Sequence, residues 1–183
     1  MALKLSYVLL AFTVPFASAL WPMPRGLTSG TTPVKLSGSF NVHLNIHHAP
    51  NDLQDAVQRV KSHLKTDTFE RLVVGRGKTD ADAVKKAHVI KTLTMSLTKG
   101  AAVRSIATEV NTVGIDGRDE SYSLVIPTDS SEATLTANST LGLFRGITSF
   151  DVMWYRYQKD KYILNGPLTI TDSPAFVRIF FLR

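Results

Sequence analysis

The chain has 183 residues, of which 21 are Lys or Arg, 15 are Asp or Glu and none is Cys. Hydrophobic residues make up 44% of it and charged residues 20%, a composition that is typical of globular proteins and excludes a disordered or fibrous chain. The lack of cysteine excludes a disulfide scaffold, thiol catalysis and a cysteine-ligated zinc site. The net charge of +6 is spread along the chain and does not indicate nucleic-acid binding.

The first 19 residues have the pattern of a secretory signal peptide. Lys4 supplies a positive charge, an uncharged and mostly apolar stretch follows at Leu5–Phe16, and Ala17, Ser18 and Ala19 form a small-residue cleavage pattern. This apolar run of about 12 residues is shorter than the roughly 20 that span a bilayer. We therefore predict cleavage after Ala19 and a secreted, extracellular product without a membrane anchor. The alternative is a buried N-terminal segment of a cytosolic protein.

The next segment predicts an extended start followed by a strand. Pro22 and Pro24 disfavour a helix at the start of the mature chain. Apolar residues then fall at roughly every second position from Val34 to Ile46, which is strand periodicity. Gly38 interrupts the pattern, which predicts a turn or bulge there.

The middle of the chain predicts two helices with a short strand between them. Apolar residues recur every three or four positions over Asn51–Lys65, which predicts a helix with Asn51 as its N-cap. Arg71–Val74 has the composition of a short buried strand that ends at Gly75. Thr79 is the expected N-cap of the second helix.

The second half of the chain predicts mainly strands. Runs rich in β-branched and apolar residues are separated by turn signals, and they lie at Leu93–Leu97, Val103–Val110, Tyr122–Ile126 and Ala133–Thr136. A final hairpin or strand pair is expected at Tyr155–Ile163 and Leu168–Thr171.

A closing helix is expected to start near Ser139. Gly142 and Gly146 lie four residues apart in it, a costly choice in a helix unless the backbone must approach a neighbour closely. We therefore expect this helix to pack tightly on the sheet. Together these elements predict an α+β fold, a mostly antiparallel sheet with two or three helices packed on one face.

Two local patterns suggest ligand binding, and a simpler interpretation is favoured for each. The stretch Val73–Thr79 has a glycine-rich turn before Lys78, as in a phosphate-binding loop, but Leu72 stands where that loop needs its first glycine. His43, His47 and His48 suggest a metal site. In a strand, however, His48 points away from the other two, and no acidic ligand lies at a useful spacing. We therefore expect a solvated turn and surface histidines, with no metal.

The pair Asp119-Glu120 and the residue Asn138 are the other candidates. Two carboxylates suggest glycoside hydrolysis, but neighbouring residues at the entry to a strand point to opposite faces and do not converge on one bond. No Gly-x-Ser-x-Gly elbow is present either. Asn138 begins an Asn-Ser-Thr glycosylation sequon, and it is equally suited to cap the closing helix. From the residues alone, no catalytic residues are assigned.

Four segments, in order, resemble the N-terminal domain of β-N-acetylhexosaminidases of glycoside hydrolase family 20, and most closely the fungal secreted forms. The first resembles the Leu-Trp-Pro-x-Pro opening, the second the acidic-Ser/Gly-Tyr-x-Leu strand, and the third the Gly-x-x-Arg-Gly-Leu-x-Thr-Phe helix. The fourth resembles the segment that leads into the catalytic barrel. They lie at Leu20–Pro24, Asp119–Leu124, Leu141–Phe150 and Ile170–Phe176.

This resemblance implies a zincin-like domain over residues 20–172 that precedes a (β/α)8 barrel. In the family, an Asp-Glu pair on the barrel acts with the 2-acetamido group of the substrate, and no cofactor is needed. The resemblance therefore implies that this chain, without the barrel, is inactive alone. A hexosaminidase barrel or a full-length enzyme is the partner it implies, with no nucleic acid and no membrane.

The sequence departs from the family at its end. Residues 173–183 correspond to a truncated and divergent start of the barrel, in which Arg178 is the only counterpart of the family's sugar-binding arginine and comes one residue early. Asp151 stands where the family has Ser-Gln. The run Ile179–Leu182 and an uncovered sheet face lead us to expect an apolar surface and self-association.

Three hypotheses about function remain open at this point. The chain is a hexosaminidase domain cut off from its barrel, or a secreted module that pairs with a full-length hexosaminidase or with cell-wall glycans, or a basic surface binder that shares only the fold.

Overall fold

The computed structural model describes residues 23–70, 74–112 and 117–173, and it confirms the predicted α+β class. The described part of the chain contains six strands and four helices. In chain order they are β1 (Gly26–Leu44), α1 (Asn51–Thr66), α2 (Arg76–Lys86), β2 (Val89–Leu97), α3 (Ile106–Thr112), β3 (Tyr122–Ile126), β4 (Ala133–Ala137), α4 (Thr140–Met153), β5 (Trp154–Tyr157) and β6 (Asp160–Asp172).

The six strands form one mostly antiparallel sheet in the order β1-β2-β4-β3-β6-β5. The pairs β1–β2 and β2–β4 are parallel, and the other pairs are antiparallel. Strand β1 pairs with β6 through its first half and with β2 through its second half, so five strands form a closed circuit of pairings. The pairing of β1 with β2 shifts between Leu36 and Asn41, which confirms the irregularity expected at Gly38.

Three helices lie over one face of the sheet and enclose the core. Helices α1 and α3 both contact α4, and α4 contacts β2, β3 and β4. The most deeply buried large side chains in this layer include Phe150, Leu93, Leu124, Leu135 and Trp154. Burial of this apolar surface is the main driving force for folding. The prediction of two or three helices on one face is confirmed.

The remaining helix, α2, lies on the opposite face, beside the β5–β6 hairpin. Trp154 is paired with Ile163, and both belong to the core; the next pair, Tyr155 and Tyr162, therefore faces the other way. The Tyr162 hydroxyl donates a hydrogen bond to Asp80 of α2 at 3.1 Å. Burial and the nearby Asp80 carboxylate raise the pKa of Tyr162 well above its ordinary value, so this phenol stays protonated as the donor.

Part of the sheet face that α1, α3 and α4 leave uncovered carries hydroxyl side chains. Register places Ser123 beside both Thr136 and Thr171, and Thr94 beside Thr134. Threonine is a good strand residue whose side chain is compatible with water on an open face. Self-association through the uncovered face stays a prediction.

The structure corrects four local predictions. Asn51 is the first residue of α1, and Pro50 occupies the N-cap position. Thr79 lies inside α2, which begins at Arg76 after Gly75, a residue with a φ of 84° that favours glycine.

The two other corrections concern predicted strands. Most of the strand predicted at Val103–Val110 is instead helix α3, which begins at Ile106 after a hydrogen-bonded cap: the Thr108 amide donates to the Ser105 hydroxyl at 3.0 Å. Val74 is fully exposed in a turn rather than buried in a strand, while residues 71–73 lie outside the described residues.

Candidate functional site

Asp119, Glu120 and Asn138 lie together where β3 and α4 begin. The register of the antiparallel β3–β4 pair sets Tyr122 opposite Ala137. The residues just before β3 and just after β4 are therefore neighbours, although they lie about 20 positions apart in the sequence. We call this cluster, completed by Ser121 and Ser139, the β3–α4 junction.

Asp119 accepts hydrogen bonds from three groups in the junction. The Ser121 amide donates to its Oδ1 at 2.9 Å, the Ser121 hydroxyl donates to the same oxygen, and Asn138 Nδ2 donates to Oδ2 at 3.1 Å. Ser139 joins the same residue to the helix, since its hydroxyl donates to the Asp119 carbonyl and accepts from the Gly142 amide at 2.9 Å. Ser139, and not Asn138, is thus the N-cap of α4.

These contacts make Asp119 a stronger acid than usual. Partial burial alone raises the pKa of its carboxyl, but the hydrogen bonds from Ser121 and Asn138 outweigh this effect, and the net pKa is lowered. A general acid for glycoside hydrolysis needs a raised pKa, so that it holds a proton near neutral pH. Asp119 has the opposite shift, and it suits a structural acceptor.

We predict that Asp119→Asn lowers stability at neutral pH and flattens the acid limb of the stability curve. A lowered folded-state pKa stabilises the protein above the unfolded pKa of about 3.9, and this stabilisation is lost as the pH falls through the folded value. The amide also places one NH2 group against that of Asn138, so we expect a loss of about 1 kcal/mol at pH 7. Urea unfolding of both proteins between pH 7 and pH 2.5 measures the difference.

The matched control is Asp55→Asn, because Asp55 is exposed on α1 and has no hydrogen-bond partner among the described residues. It should leave the acid limb unchanged. If the free energy of unfolding of Asp119→Asn follows that of the wild type at every pH, the structural role assigned to this carboxylate is wrong.

Glu120 is turned towards a different partner. Its Oε2 lies 2.6 Å from Nε of Arg145, an exposed residue of α4. Asp119 and Glu120 therefore engage different elements, as the prediction of divergent side chains required, and both fasten the start of β3 to α4. Because the arginine is half-exposed, the ion pair contributes at most about 1 kcal/mol to stability.

Asn138 is exposed, but its side-chain amide is engaged at both ends. Its Oδ1 accepts from the Thr98 hydroxyl at 2.8 Å, and Nδ2, the atom that a glycan would modify, donates to Asp119. The third sequon residue, Thr140, is fully buried and donates to the Arg104 carbonyl at 2.8 Å. Glycosylation of Asn138 stays a prediction, and attachment would have to precede or disturb this network.

The three histidines do not form a common ligand set. His43 is exposed on β1, and His47 and His48 follow the strand with their rings 3.9 Å apart in an edge-on contact. Over residues 23–70, 74–112 and 117–173, no group of three or more His, Asp and Glu side chains is arranged to hold a metal ion. All three are exposed, as expected, but only His43 lies on a strand: β1 ends at Leu44, and His47 and His48 lie in the turn that follows it.

The remaining sequence candidates are distributed as follows. In the glycine-rich stretch, Arg76 Nε pairs with the Asp80 carboxylate at 2.9 Å within α2, and Lys78 is exposed. The predicted cleavage site at Ala19 and the predicted sugar-binding residue Arg178 both lie outside the described residues.

One polar contact was not foreseen from the sequence. His63 Nδ1 on α1 lies 2.7 Å from Asp151 Oδ2 near the end of α4, and the other oxygen of Asp151 accepts from Trp154 Nε1 at 3.2 Å. In the sequence, Asp151 stands out only as a departure from the family pattern. The contact joins two helices, and no periodicity in the sequence reports it.

A family model described as beta-acetyl hexosaminidase like matches residues 20–151, well over half of the chain. No sequence among the curated proteins matches this chain. No helix among the described residues is both long and apolar enough to span a membrane.

Solved structures of glycoside hydrolases share the fold. The Flavobacterium johnsoniae chitobiase FjGH20 is 20% identical, with a TM-score of 0.55 over 86% of this chain and 21% of its own length. The exo-β-N-acetylglucosaminidase of family GH20 from Vibrio harveyi is 11% identical, with a TM-score of 0.51 over 87% of this chain and 19% of its own. At such identities the likeness shows the fold alone, and the chain spans about a fifth of the length of these structures.

Proposed function

The chain belongs to the beta-acetyl hexosaminidase-like family, with an N-terminal-like domain of glycoside hydrolase family 20, and from this premise we propose that it is the non-catalytic domain of a secreted β-N-acetylhexosaminidase. Hydrolysis of terminal N-acetylhexosamine from chitin or glycoconjugates would then be performed by the barrel. Secretion and likeness to the fungal enzymes rest on the pattern of residues 1–19 and on the sequence segments described above, and they are part of the proposal.

The observation that carries the proposal is the use made of Asp119 and Glu120. They are the adjacent acids that the sequence offered as a catalytic pair. Asp119 accepts hydrogen bonds from Ser121 and Asn138, and Glu120 forms an ion pair with Arg145. A carboxylate whose oxygens accept three hydrogen bonds is held as an anion and does not donate a proton to a leaving group. The junction therefore supports an architectural role.

Length supports the same proposal. The chain is similar to about one fifth of proteins that are named as a chitobiase and an exo-β-N-acetylglucosaminidase. We propose that the sugar-binding and catalytic groups of such an enzyme lie in the other four fifths, and that a hexosaminidase barrel is the partner of this domain. No resident cofactor or metal is part of the proposal.

The variants Asp119→Asn and Glu120→Gln test this function. We expect each to lower the midpoint of urea unfolding, because each removes bonds between β3 and α4. Neither should change the rate at which the purified chain releases 4-nitrophenol from 4-nitrophenyl N-acetyl-β-glucosaminide, since that rate should equal the buffer background. A rate above background that either variant abolishes would assign catalysis to the junction and overturn the proposal.

A further inference from the structure

Residues 26–34, at the start of β1, form an uncharged segment that is rich in hydroxyl side chains. Four of these nine residues are Ser or Thr, and a proline follows the last of them: Thr28, Ser29, Thr31, Thr32 and Pro33. Segments of Ser and Thr with Pro are typical carriers of O-linked sugars in secreted proteins. Composition does not choose among the four hydroxyls, but their places in the sheet differ.

Thr31 lies in a bulge of the ladder between β1 and β6. The register shifts between Ser29 and Thr32, so Gly30 and Thr31 together lie opposite a single residue of β6. A bulge of this kind leaves a residue unpaired and re-aims its side chain. On the other side of β1, pairing with β2 begins only at Lys35. Within the described residues, Thr31 is therefore the one of the four hydroxyl-bearing residues that has no partner in the register.

The residues on both sides of Thr31 hold this bulge in place. A Cβ atom on Gly30 would lie 2.3 Å from the Gly166 carbonyl oxygen, so the backbones of β1 and β6 approach each other closely there. Thr32 Oγ1 donates a hydrogen bond to the same carbonyl oxygen at 2.9 Å. The neighbours thus fix an extended backbone, while the Thr31 side chain is exposed and makes no hydrogen bond with the described residues.

The other three hydroxyls are less suitable as acceptors of a sugar. The Thr32 hydroxyl is engaged by its bond to Gly166, and Thr28 and Ser29 lie in the paired part of the ladder. A transferase has to hold the acceptor oxygen beside the anomeric carbon of its sugar donor, in the geometry of the reaction. It reaches a residue with an unpaired backbone more easily than one that is flanked by a neighbouring strand.

We propose that Thr31 is a site of O-linked glycosylation and that it carries a hexose or a short chain of hexoses. This inference rests on the proposed secretion, because the transferases and sugar donors of this reaction belong to the secretory pathway. The Thr31 Oγ1 attacks the anomeric carbon of a hexose that is bound to a polyprenyl phosphate or to a nucleotide. A C–O bond to the threonine forms as the bond to the donor phosphate breaks. The phosphate leaves with the bonding electrons, and the hydroxyl proton passes to a base of the transferase.

The experiment follows one tryptic peptide of the secreted chain. The chain is produced in a secreting fungal host with a signal sequence of that host in place of residues 1–19, so that secretion does not depend on the predicted signal peptide. Trypsin cuts after Arg25 and after Lys35, and the peptide between them holds all four hydroxyls. Electron-transfer fragmentation keeps sugars attached and locates them by mass. We expect most copies of this peptide to carry hexose on Thr31.

A matched pair of variants separates the position of the hydroxyl from the composition of the segment. Thr31→Val keeps a branched side chain, removes the hydroxyl, and should abolish the mass increase of the peptide. Thr28→Val makes the same change at an exposed threonine in the paired part of the strand, and it should leave the modification at the wild-type level. Thr31→Ser keeps an acceptor hydroxyl and should still be modified.

Three results would overturn the inference. They are an unmodified peptide from the secreted and folded chain, a sugar distributed equally over the four hydroxyls, and a phosphate in place of the sugar. A second production with the chain's own residues 1–19 tests the secretion proposal separately. If that chain stays inside the cell, the predicted signal peptide is wrong, while the peptide from the first production still reports on Thr31.

Discussion

Replacing Gly142 by alanine should destabilise the protein by about 2 kcal/mol or more, even though alanine favours a helix by about 1 kcal/mol. A Cβ atom at this position would lie 2.3 Å from the Ser121 carbonyl oxygen and 3.0 Å from the Ala137 Cβ. The carbonyl oxygen belongs to the backbone of the β3–α4 junction, and it cannot move aside as the end of a flexible side chain does. Helix α4 would have to withdraw from the sheet.

Thermal unfolding followed by circular dichroism measures this effect, and we expect the melting temperature to fall by about 5 °C or more. Gly38→Ala is the matched control, since a Cβ on Gly38 meets no atom within 4 Å and its φ is not in the positive range. This control should melt within about 1 °C of the wild type. An unchanged melting temperature for Gly142→Ala would show that α4 does not approach the sheet as described.

Replacing Trp154 by alanine should cost roughly 3–5 kcal/mol, a large part of the stability of a typical domain. Trp154 is fully buried, begins β5 opposite Ile163, and belongs to the main core. Removing the indole opens a cavity where α4 ends and the last hairpin begins, and the fixed backbone of the sheet limits its collapse. We expect the melting temperature to fall by about 10 °C, or the chain to be recovered unfolded.

Trp154→Phe separates packing from hydrogen bonding at this position. The phenyl ring keeps most of the contacts but loses the Nε1 donor to Asp151, so we expect a loss of about 1–2 kcal/mol. Urea unfolding should therefore rank the proteins as wild type, Trp154→Phe and Trp154→Ala. Equal stability of the two variants would mean that an aromatic ring at this position contributes nothing to stability, and it would contradict the assigned core.

The sequence predicts best the elements whose pattern records burial directly. Strand β3 is found at its predicted bounds, Tyr122–Ile126, because alternate residues are buried along it. Helix α1 ends only one residue beyond its predicted end, because its buried residues recur every three or four positions and this pattern also records burial directly. The two glycines of α4 correctly predicted a close approach to the sheet, since Gly142 and Gly146 would each bring a Cβ to 2.3 Å from a neighbouring atom.

The sequence predicts poorly where tertiary contacts decide between local alternatives. The run Val103–Val110 has β-branched residues that suit a strand, yet Ser105 caps it as a helix, and α3 packs on α1 and α4. The location of α2 on the opposite face from the other helices depends on its contact with the β5–β6 hairpin. No periodicity within α2 reports that contact.

For the candidate site, the sequence identified the right residues with incomplete roles. It excluded Asp119 and Glu120 as a converging catalytic pair from strand geometry, and their separate partners agree with that exclusion. It could not name Asn138 and Arg145 as those partners, because the contacts join residues about 20 to 25 positions apart.

The most direct measurement of the central claim is the rate at which the purified wild-type chain releases N-acetylglucosamine from chitobiose. The Vibrio harveyi exo-β-N-acetylglucosaminidase at equal molarity serves as the positive control. If the carboxylates of this domain serve only its architecture, the chain releases no sugar above the buffer background, while its circular dichroism shows a folded α+β protein. Turnover by the folded chain that is lost when Asp119 or Glu120 is replaced would contradict that account.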